Sequence, residues 1–172
     1  MCILGLLGAM DAHLITKIFI TYIAVDTIWI VVSPSAVPRF AWAIVLHHTL
    51  TFLILLHPLR YPEHAIETCR DGIVELNTFF LIARRQLTRG SFLNRACDLM
   101  YHLTLSIRFL WQPYLIYHFR IITHMDSTDR PGGYTFQEHY MVMVSQVLLC
   151  VFNILIVLPG LLPKKKKKEK AA

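Results

Sequence analysis

The sequence predicts an all-α fold, a multi-pass transmembrane helical bundle with about five spans in this chain. Of the 172 residues, 55% are hydrophobic and only 16% are charged, whereas a typical soluble domain has about 25% charged residues. The mean hydropathy is +0.50, and the apolar residues form long runs separated by prolines. A chain this apolar cannot remain solvated as a disordered polymer. With 7 glycines and 4 cysteines, collagen-like and disulfide-rich secreted folds are also excluded.

Four of the spans follow directly from the apolar runs. A bilayer core of about 30 Å requires roughly 20 apolar residues in a helix. Runs of about this length occur at about 14–32, 40–56, 97–119 and 139–159. Most prolines fall between the runs, where they do not interrupt a helix. Pro113 lies inside the fourth run and predicts a kink there.

The remaining span, at about 64–82, is amphipathic. One side of this segment carries Glu67, Arg70, Asp71 and Glu75, while the apolar residues follow the helical period on the other side. Such a helix either crosses the bilayer with a buried polar face or lies at the interface. We favour a span, because the topology then agrees with the charge distribution.

Basic residues orient the bundle. The segment between spans three and four contains no acidic residue and four arginines, Arg84, Arg85, Arg89 and Arg95. Six lysines follow the last span. Positively charged loops stay in the cytosol. Two spans separate these two basic segments, and an even number of crossings places both on the same side of the membrane. Residues 1–13 are then a short lumenal N-terminal segment without a signal peptide. We therefore expect the full fold to have a further N-terminal span that this chain lacks.

The transmembrane domain is expected to cover 14–160, followed by a basic cytosolic tail at 161–172. The tail ends Lys168-Glu169-Lys170-Ala171-Ala172. This K-x-K-x-x ending is similar to the dilysine signals that retrieve membrane proteins to the endoplasmic reticulum; a polybasic flank of the last span is the alternative. No aromatic residue is interleaved with the lysines, which argues against a nucleic-acid partner.

Several polar residues lie near the middle of the predicted spans. A charge at the bilayer centre costs roughly 2.5–3.5 kcal/mol and requires partners or a wet cavity. We therefore expect a polar chamber at mid-membrane, with candidate chemical residues His47, His48, Asp71 and Glu75 and candidate ligand-binding residues Asp26, Arg108 and Asn153. Structural ion pairing and interhelical hydrogen bonding are the alternative roles. No metal site is predicted, because the cysteines lack ligand spacing.

The residues of the second and third spans resemble the TLC-domain family, the membrane fold shared by ceramide synthases, translocation-associated membrane proteins and regulators of lipid composition. The resemblance rests on Leu46-His47-His48-Thr49-Leu50-Thr51-Phe52, on Asp71-Gly72-Ile73-Val74-Glu75-Leu76-Asn77-Thr78-Phe79-Phe80-Leu81, and on Arg85. Weaker matches are Tyr22 with Asp26, Ile107-Arg108-Phe109, and Asn153. The resemblance covers about residues 14–160.

For ceramide synthases the resemblance implies transfer of an acyl group from acyl-CoA to a sphingoid base. His47 and His48 match the family's histidine pair, and Asp71 and Glu75 match its second aspartate and its glutamate. Thr68 stands where those enzymes have their first aspartate, which favours the branch without synthase activity. We therefore expect a protein of membrane lipid homeostasis that binds or senses acyl lipids without a cofactor.

Two other functions remain open. The first is an acyl-CoA-dependent N-acyltransferase, with a histidine as base or acyl acceptor and with Arg84 and Arg85 contacting the phosphates of the co-substrate. The second is an ion conductor, which is disfavoured because only the third span carries several charges.

Overall fold

The computed structural model describes residues 1–36, 41–125 and 133–161, and every regular element within these ranges is helical. The helices are α1 (Cys2–Leu6), α2 (Ala12–Val32), α3 (Ala41–Arg60), α4 (Ala65–Gly72), α5 (Glu75–Gln86), α6 (Phe92–Ser106), α7 (Gln112–Met125) and α8 (Phe136–Leu161). The predicted all-α class is confirmed for these residues. The tail lysines and their dilysine ending lie outside the described residues.

Three of these helices are long and apolar enough to cross a membrane. They are Ala12–Val32, Ala41–Arg60 and Phe136–Leu155, with mean hydropathies of 1.8, 1.5 and 1.4. They correspond to the first, second and fifth predicted spans. The Asp11 side chain begins the first of them by accepting a hydrogen bond from the His13 backbone N–H at 3.0 Å, the usual role of an N-cap aspartate.

The predicted third span consists of two helices, not one continuous helix over 64–82. α4 ends at Gly72 and α5 begins at Glu75. Across the junction the backbone forms tighter bonds three residues apart, from Val74 N–H to the Asp71 carbonyl at 3.2 Å and from Leu76 N–H to the Ile73 carbonyl at 3.0 Å. Glycine is among the least favourable residues inside a helix, so Gly72 explains why the break occurs here.

The predicted fourth span is helical from Phe92 to Met125, with a π turn at Ile107–Trp111. Pro113 explains the turn, because proline lacks an N–H and its ring clashes with the carbonyl four residues earlier. In the π turn the Gln112 N–H bonds the Ile107 carbonyl, five residues back. The irregularity that Pro113 predicts therefore takes the form of a π turn, a feature frequent at functional sites.

The long helical segments alternate in direction. α3 packs against α8, and His57 near the end of α3 lies 3.2 Å from Glu138 near the start of α8. At the other end of this helix pair, His47 stacks on Phe152, with ring centroids 4.9 Å apart. The two helices are therefore antiparallel.

The α4–α5 segment runs antiparallel to α6–α7 in the same way. Glu67 in α4 bonds His118 in α7 at 2.9 Å, whereas Arg84 near the end of α5 bonds Asp98 near the start of α6 at 2.5 Å. The Arg84 guanidinium also lies over the Tyr101 ring, 3.8 Å from its centroid. This alternation lets residues from the middle of each segment meet at one level.

Candidate functional site

Arg108, in the π turn, lies at the centre of a buried polar network. Its side chain is 8% exposed. Its Nε donates to Asn77 Oδ1 at 2.7 Å, one Nη donates to Asn153 Oδ1 at 2.5 Å, and the other donates to the Thr78 hydroxyl. Among the described residues no carboxylate forms a salt bridge with this guanidinium. Neutral acceptors therefore hold this cation.

Asn77 in α5 links this network to α6. Its Nδ2 donates to the Tyr101 carbonyl and to the Thr104 hydroxyl, both at 2.9 Å, while its Oδ1 accepts from Arg108. The side chain is fully buried. Asn77 is a central site residue that the sequence analysis missed. The sequence did contain one signal for this role: Asn77 follows Glu75 by two residues, in the predicted span that carries several charged residues.

Asp71 belongs to a second group of bonds. Gln112 Nε2 donates to Asp71 Oδ1 at 3.3 Å and to Gln146 Oε1 at 2.6 Å, and Gln146 Nε2 donates to the same Asp71 oxygen at 3.1 Å. Two amides therefore hold this carboxylate between α4, α7 and α8. Asp71 and Glu75 lie on either side of the break at Gly72, and each has its own partners.

Glu75 pairs with His47. The distance from Glu75 Oε1 to His47 Nε2 is 3.6 Å, and the imidazole stacks on Phe152. Because Nε2 faces a carboxylate, it holds the proton in the neutral ring, which leaves a lone pair on Nδ1. That Nδ1 is buried and has no hydrogen-bond partner among the described residues. A buried acceptor without a partner is costly.

His48 pairs with Asp26 on the neighbouring helix. The distance from His48 Nε2 to Asp26 Oδ2 is 3.6 Å, and Nδ1 lies 3.1 Å from the Thr27 hydroxyl. The centroids of the His47 and His48 rings are 5.7 Å apart. The structure thus brings together two histidine–carboxylate pairs, His48 with Asp26 and His47 with Glu75, side by side across α2, α3 and α5.

The space among the predicted chamber residues is small. A cavity of about 20 Å³ lies between side chains that include His47, Asp71, Glu75 and Asn153. A water molecule needs roughly 10–15 Å³ of such volume, so the cavity holds about one water. Four of the candidate residues, His47, Asp71, Glu75 and Asn153, therefore line one cavity, which has no room for a lipid headgroup.

A much larger groove lies beside the chamber. It is bounded by α1, α2 and α5. Its volume of about 470 Å³ lies within the range of about 300–1,000 Å³ that is typical of ligand sites. Its walls are mostly apolar, and its polar groups are Glu75, Thr78, Tyr22 and, at one end, Gln86. Glu75 lines both the groove and the small cavity. This carboxylate therefore connects the apolar groove to His47.

The two arginines expected to contact acyl-CoA phosphates lie apart from this site. Arg84 is held by Asp98 and Tyr101, which leaves it unsuited to a phosphate. Arg85 is exposed and forms no salt bridge with the described residues. Neither lines the groove.

His57, near the end of α3, is also buried. His57 is 2% exposed, bonds Glu138 at 3.2 Å and stacks on Tyr134, with ring centroids 3.7 Å apart. The proline that follows it, Pro58, does not end α3, which continues to Arg60. α3 therefore extends four residues beyond the run that the sequence predicted to end at residue 56.

Comparisons with known proteins add no assignment: no family model, no curated protein and no solved structure matches this chain. Within the described part of the chain, no group of three or more His, Cys, Asp or Glu residues is arranged to hold a metal ion.

The Arg108 network predicts the effect of Asn77→Ala. The substitution removes one acceptor of a buried guanidinium and two further bonds, and hydrogen bonds to charged groups are worth about 1.5–3 kcal/mol each. We expect the free energy of unfolding in detergent to fall by about 2–4 kcal/mol.

The matched control is Thr49→Ala, because among the described residues this exposed hydroxyl bonds only the Val45 carbonyl of its own helix. The double variant Arg108→Met/Asn77→Leu should recover part of the loss, since it removes the unpaired charge. Equal stability of Asn77→Ala and Thr49→Ala would contradict the network.

Proposed function

We propose that this chain is a multi-pass membrane protein of the TLC-domain type that acts in membrane lipid homeostasis by binding acyl lipids. The observation that carries the proposal is the apolar groove of about 470 Å³ with the Glu75 carboxylate in its wall. α2, one of the three helices able to cross a membrane, forms one side of this groove. Because α2 crosses the bilayer in this proposal, lipid surrounds the groove.

The size of the two cavities decides where the lipid binds. The central cavity of about 20 Å³ excludes anything larger than one or two waters. The groove accommodates an acyl chain along the apolar faces of α2 and α5. Glu75 and Thr78 then provide the contact for a polar group of the lipid, such as a hydroxyl or amide, because a carboxylate accepts hydrogen bonds from both.

The proposal includes five spans and a location in the endoplasmic reticulum. Two observations support the additional spans: the alternating directions of the segments, and the burial of the polar residues Arg108, Asn77 and Gln146. From Asn77 to Gln86 a helix rises about 14 Å, nearly half of a 30 Å bilayer core. With the Arg108 network at the centre of the bilayer, the loop after α5 therefore lies near one membrane surface. Arg85 and Arg89 then lie on the cytosolic side, as does the tail.

This topology predicts the accessibility of single cysteines. In a background with the four native cysteines replaced by serine, we expect Thr88→Cys to react with an impermeant thiol reagent when only the plasma membrane is permeabilised. Glu63→Cys and Gln137→Cys should react only after the internal membranes are opened. If only α2, α3 and α8 crossed the membrane, Glu63→Cys would label together with Thr88→Cys and Gln137→Cys.

The groove predicts the effect of a bulky substitution on lipid labelling. Cells given a photoactivatable, clickable fatty acid should yield a lipid adduct on this protein after irradiation. Ile82→Trp fills the groove, and displacing a buried chain segment worth about 1.5–3 kcal/mol should reduce the adduct about tenfold or more.

Leu103→Trp is the matched control, because Leu103 is 58% exposed on α6, away from the groove. Its adduct should equal that of the wild type. Comparable loss in both variants, or an unchanged acyl composition of the membranes after deletion of the protein, would count against lipid binding as the function.

The His47–Glu75 pair favours a second candidate function, an acyl-CoA-dependent N-acyltransferase of the ceramide synthase type acting on a sphingoid base. The unpartnered Nδ1 of His47 is a base in a polar site, and the carboxylate at Nε2 stabilises the imidazolium that forms when Nδ1 takes a proton from the amine. The amine nitrogen forms the amide bond to the acyl carbon, the C–S bond breaks, and the coenzyme A thiolate takes the proton from the imidazolium and leaves as the thiol. Catalysis would require the small central cavity to open.

The second candidate predicts different effects for the two histidines. Purified protein given acyl-CoA and a long-chain base should release free thiol. Loss of a general base typically costs about 10²–10⁴-fold in rate, so His47→Ala should lower thiol release by that factor. His48→Ala should have a smaller effect, because both nitrogens of that ring face Thr27 and Asp26. If the wild-type protein releases no thiol, the acyltransferase proposal fails and lipid binding remains the proposed function.

A further inference from the structure

The groove beside Glu75 is closed at one end by α1. Along α5 the groove extends from Glu75 to Gln86, a rise of about 16 Å in a helix. On the other side of Glu75 it continues only as far as Gly72, Ile15 and the first residues of the chain, Met1, Cys2 and Ile3. The short helix α1 thus forms the floor of an inner compartment below Glu75.

Two glycines allow α1 to lie this close to the bundle. A Cβ added to Gly72 would lie 2.6 Å from Cys2 Sγ, and one added to Gly5 would lie 2.5 Å from Cys69 Sγ and 2.6 Å from Ile15 Cδ1. Contacts this short do not occur between real side chains. Cys69 and Ile15 are fully buried and cannot yield easily, since protein interiors are close-packed. α1 must therefore move outward when a side chain is introduced at Gly5.

We infer that α1 sets the length of the acyl chain that the groove accepts, with Cys2 as the floor residue and Gly5 and Gly72 as the residues that fix the height of the floor. The inference rests on the proposed lipid-binding function and deepens it. The polar group of the lipid lies against Glu75 and Thr78, and the acyl chain ends against Cys2. Acyl chains that are too long for the inner compartment bind less favourably, because α1 leaves no space for their terminal carbons.

The inference predicts opposite effects for two kinds of variant. Cys2→Phe raises the floor by filling the inner compartment, so shorter chains should be preferred. Gly5→Ala displaces α1 and deepens the compartment, so longer chains should be preferred.

The experiment uses the full chain in cell membranes and a series of photoactivatable, clickable fatty acids from dodecanoyl to eicosanoyl. The yield of adduct is measured for each chain length, normalised to the amount of folded protein recovered by size-exclusion chromatography. We expect the maximum to move by at least one two-carbon step, downward for Cys2→Phe and upward for Gly5→Ala. Leu7→Phe is the matched control, because Leu7 is 74% exposed at the end of α1 and lies outside the groove.

The outcomes separate this inference from the proposed function. If Ile82→Trp abolishes labelling while the maximum stays at one chain length in Cys2→Phe and Gly5→Ala, the groove binds lipid but α1 does not measure it. If the wild type yields no adduct at any chain length, both proposals fail. A shift in the same direction for Cys2→Phe and Leu7→Phe would also overturn the inference, because it would reflect a general disturbance of α1.

Discussion

The structure depends on the burial of one cation, Arg108, among neutral partners. Removing a charge from water costs several kcal/mol even after relaxation, and this guanidinium is 8% exposed. Asn77, Asn153 and Thr78 accept its N–H groups from two other segments. Since each acceptor requires a fixed helix orientation, the requirement to satisfy Arg108 sets the relative positions of α5, α8 and the π turn.

The use of neutral acceptors for Arg108 has a consequence for the two carboxylates. A direct salt bridge would have neutralised Asp71 or Glu75 within the core. Instead, Asp71 is held by the amides of Gln112 and Gln146, and Glu75 faces His47. The protein thus keeps a carboxylate–histidine pair beside the groove rather than an ion pair in the core. Glu75 also lies in the wall of the groove.

The sequence predicted the all-α class and the positions of the apolar helices, because long apolar runs bounded by prolines allow few alternatives. It also identified the polar residues that meet at one level, since a charge inside an apolar run requires a partner. It did not predict which residues pair. That depends on rotation of the helices, which changes at the Gly72 break and at the π turn. Asn77 and Thr78 were missed because uncharged polar residues impose a smaller cost and stand out less in a hydropathy pattern.

The position of Glu75 relates the two candidate functions. It is the point where an apolar surface large enough for an acyl chain meets a histidine whose second nitrogen is unpartnered. Binding alone needs the apolar surface and a polar contact, and the described conformation supplies both. Acyl transfer needs in addition that His47 reach the bound lipid, and Glu75 lies between the groove and that ring. Because the cavity on the His47 side has a volume of only about 20 Å³, lipid binding requires no rearrangement whereas acyl transfer does. This difference makes binding the function that the geometry supports best.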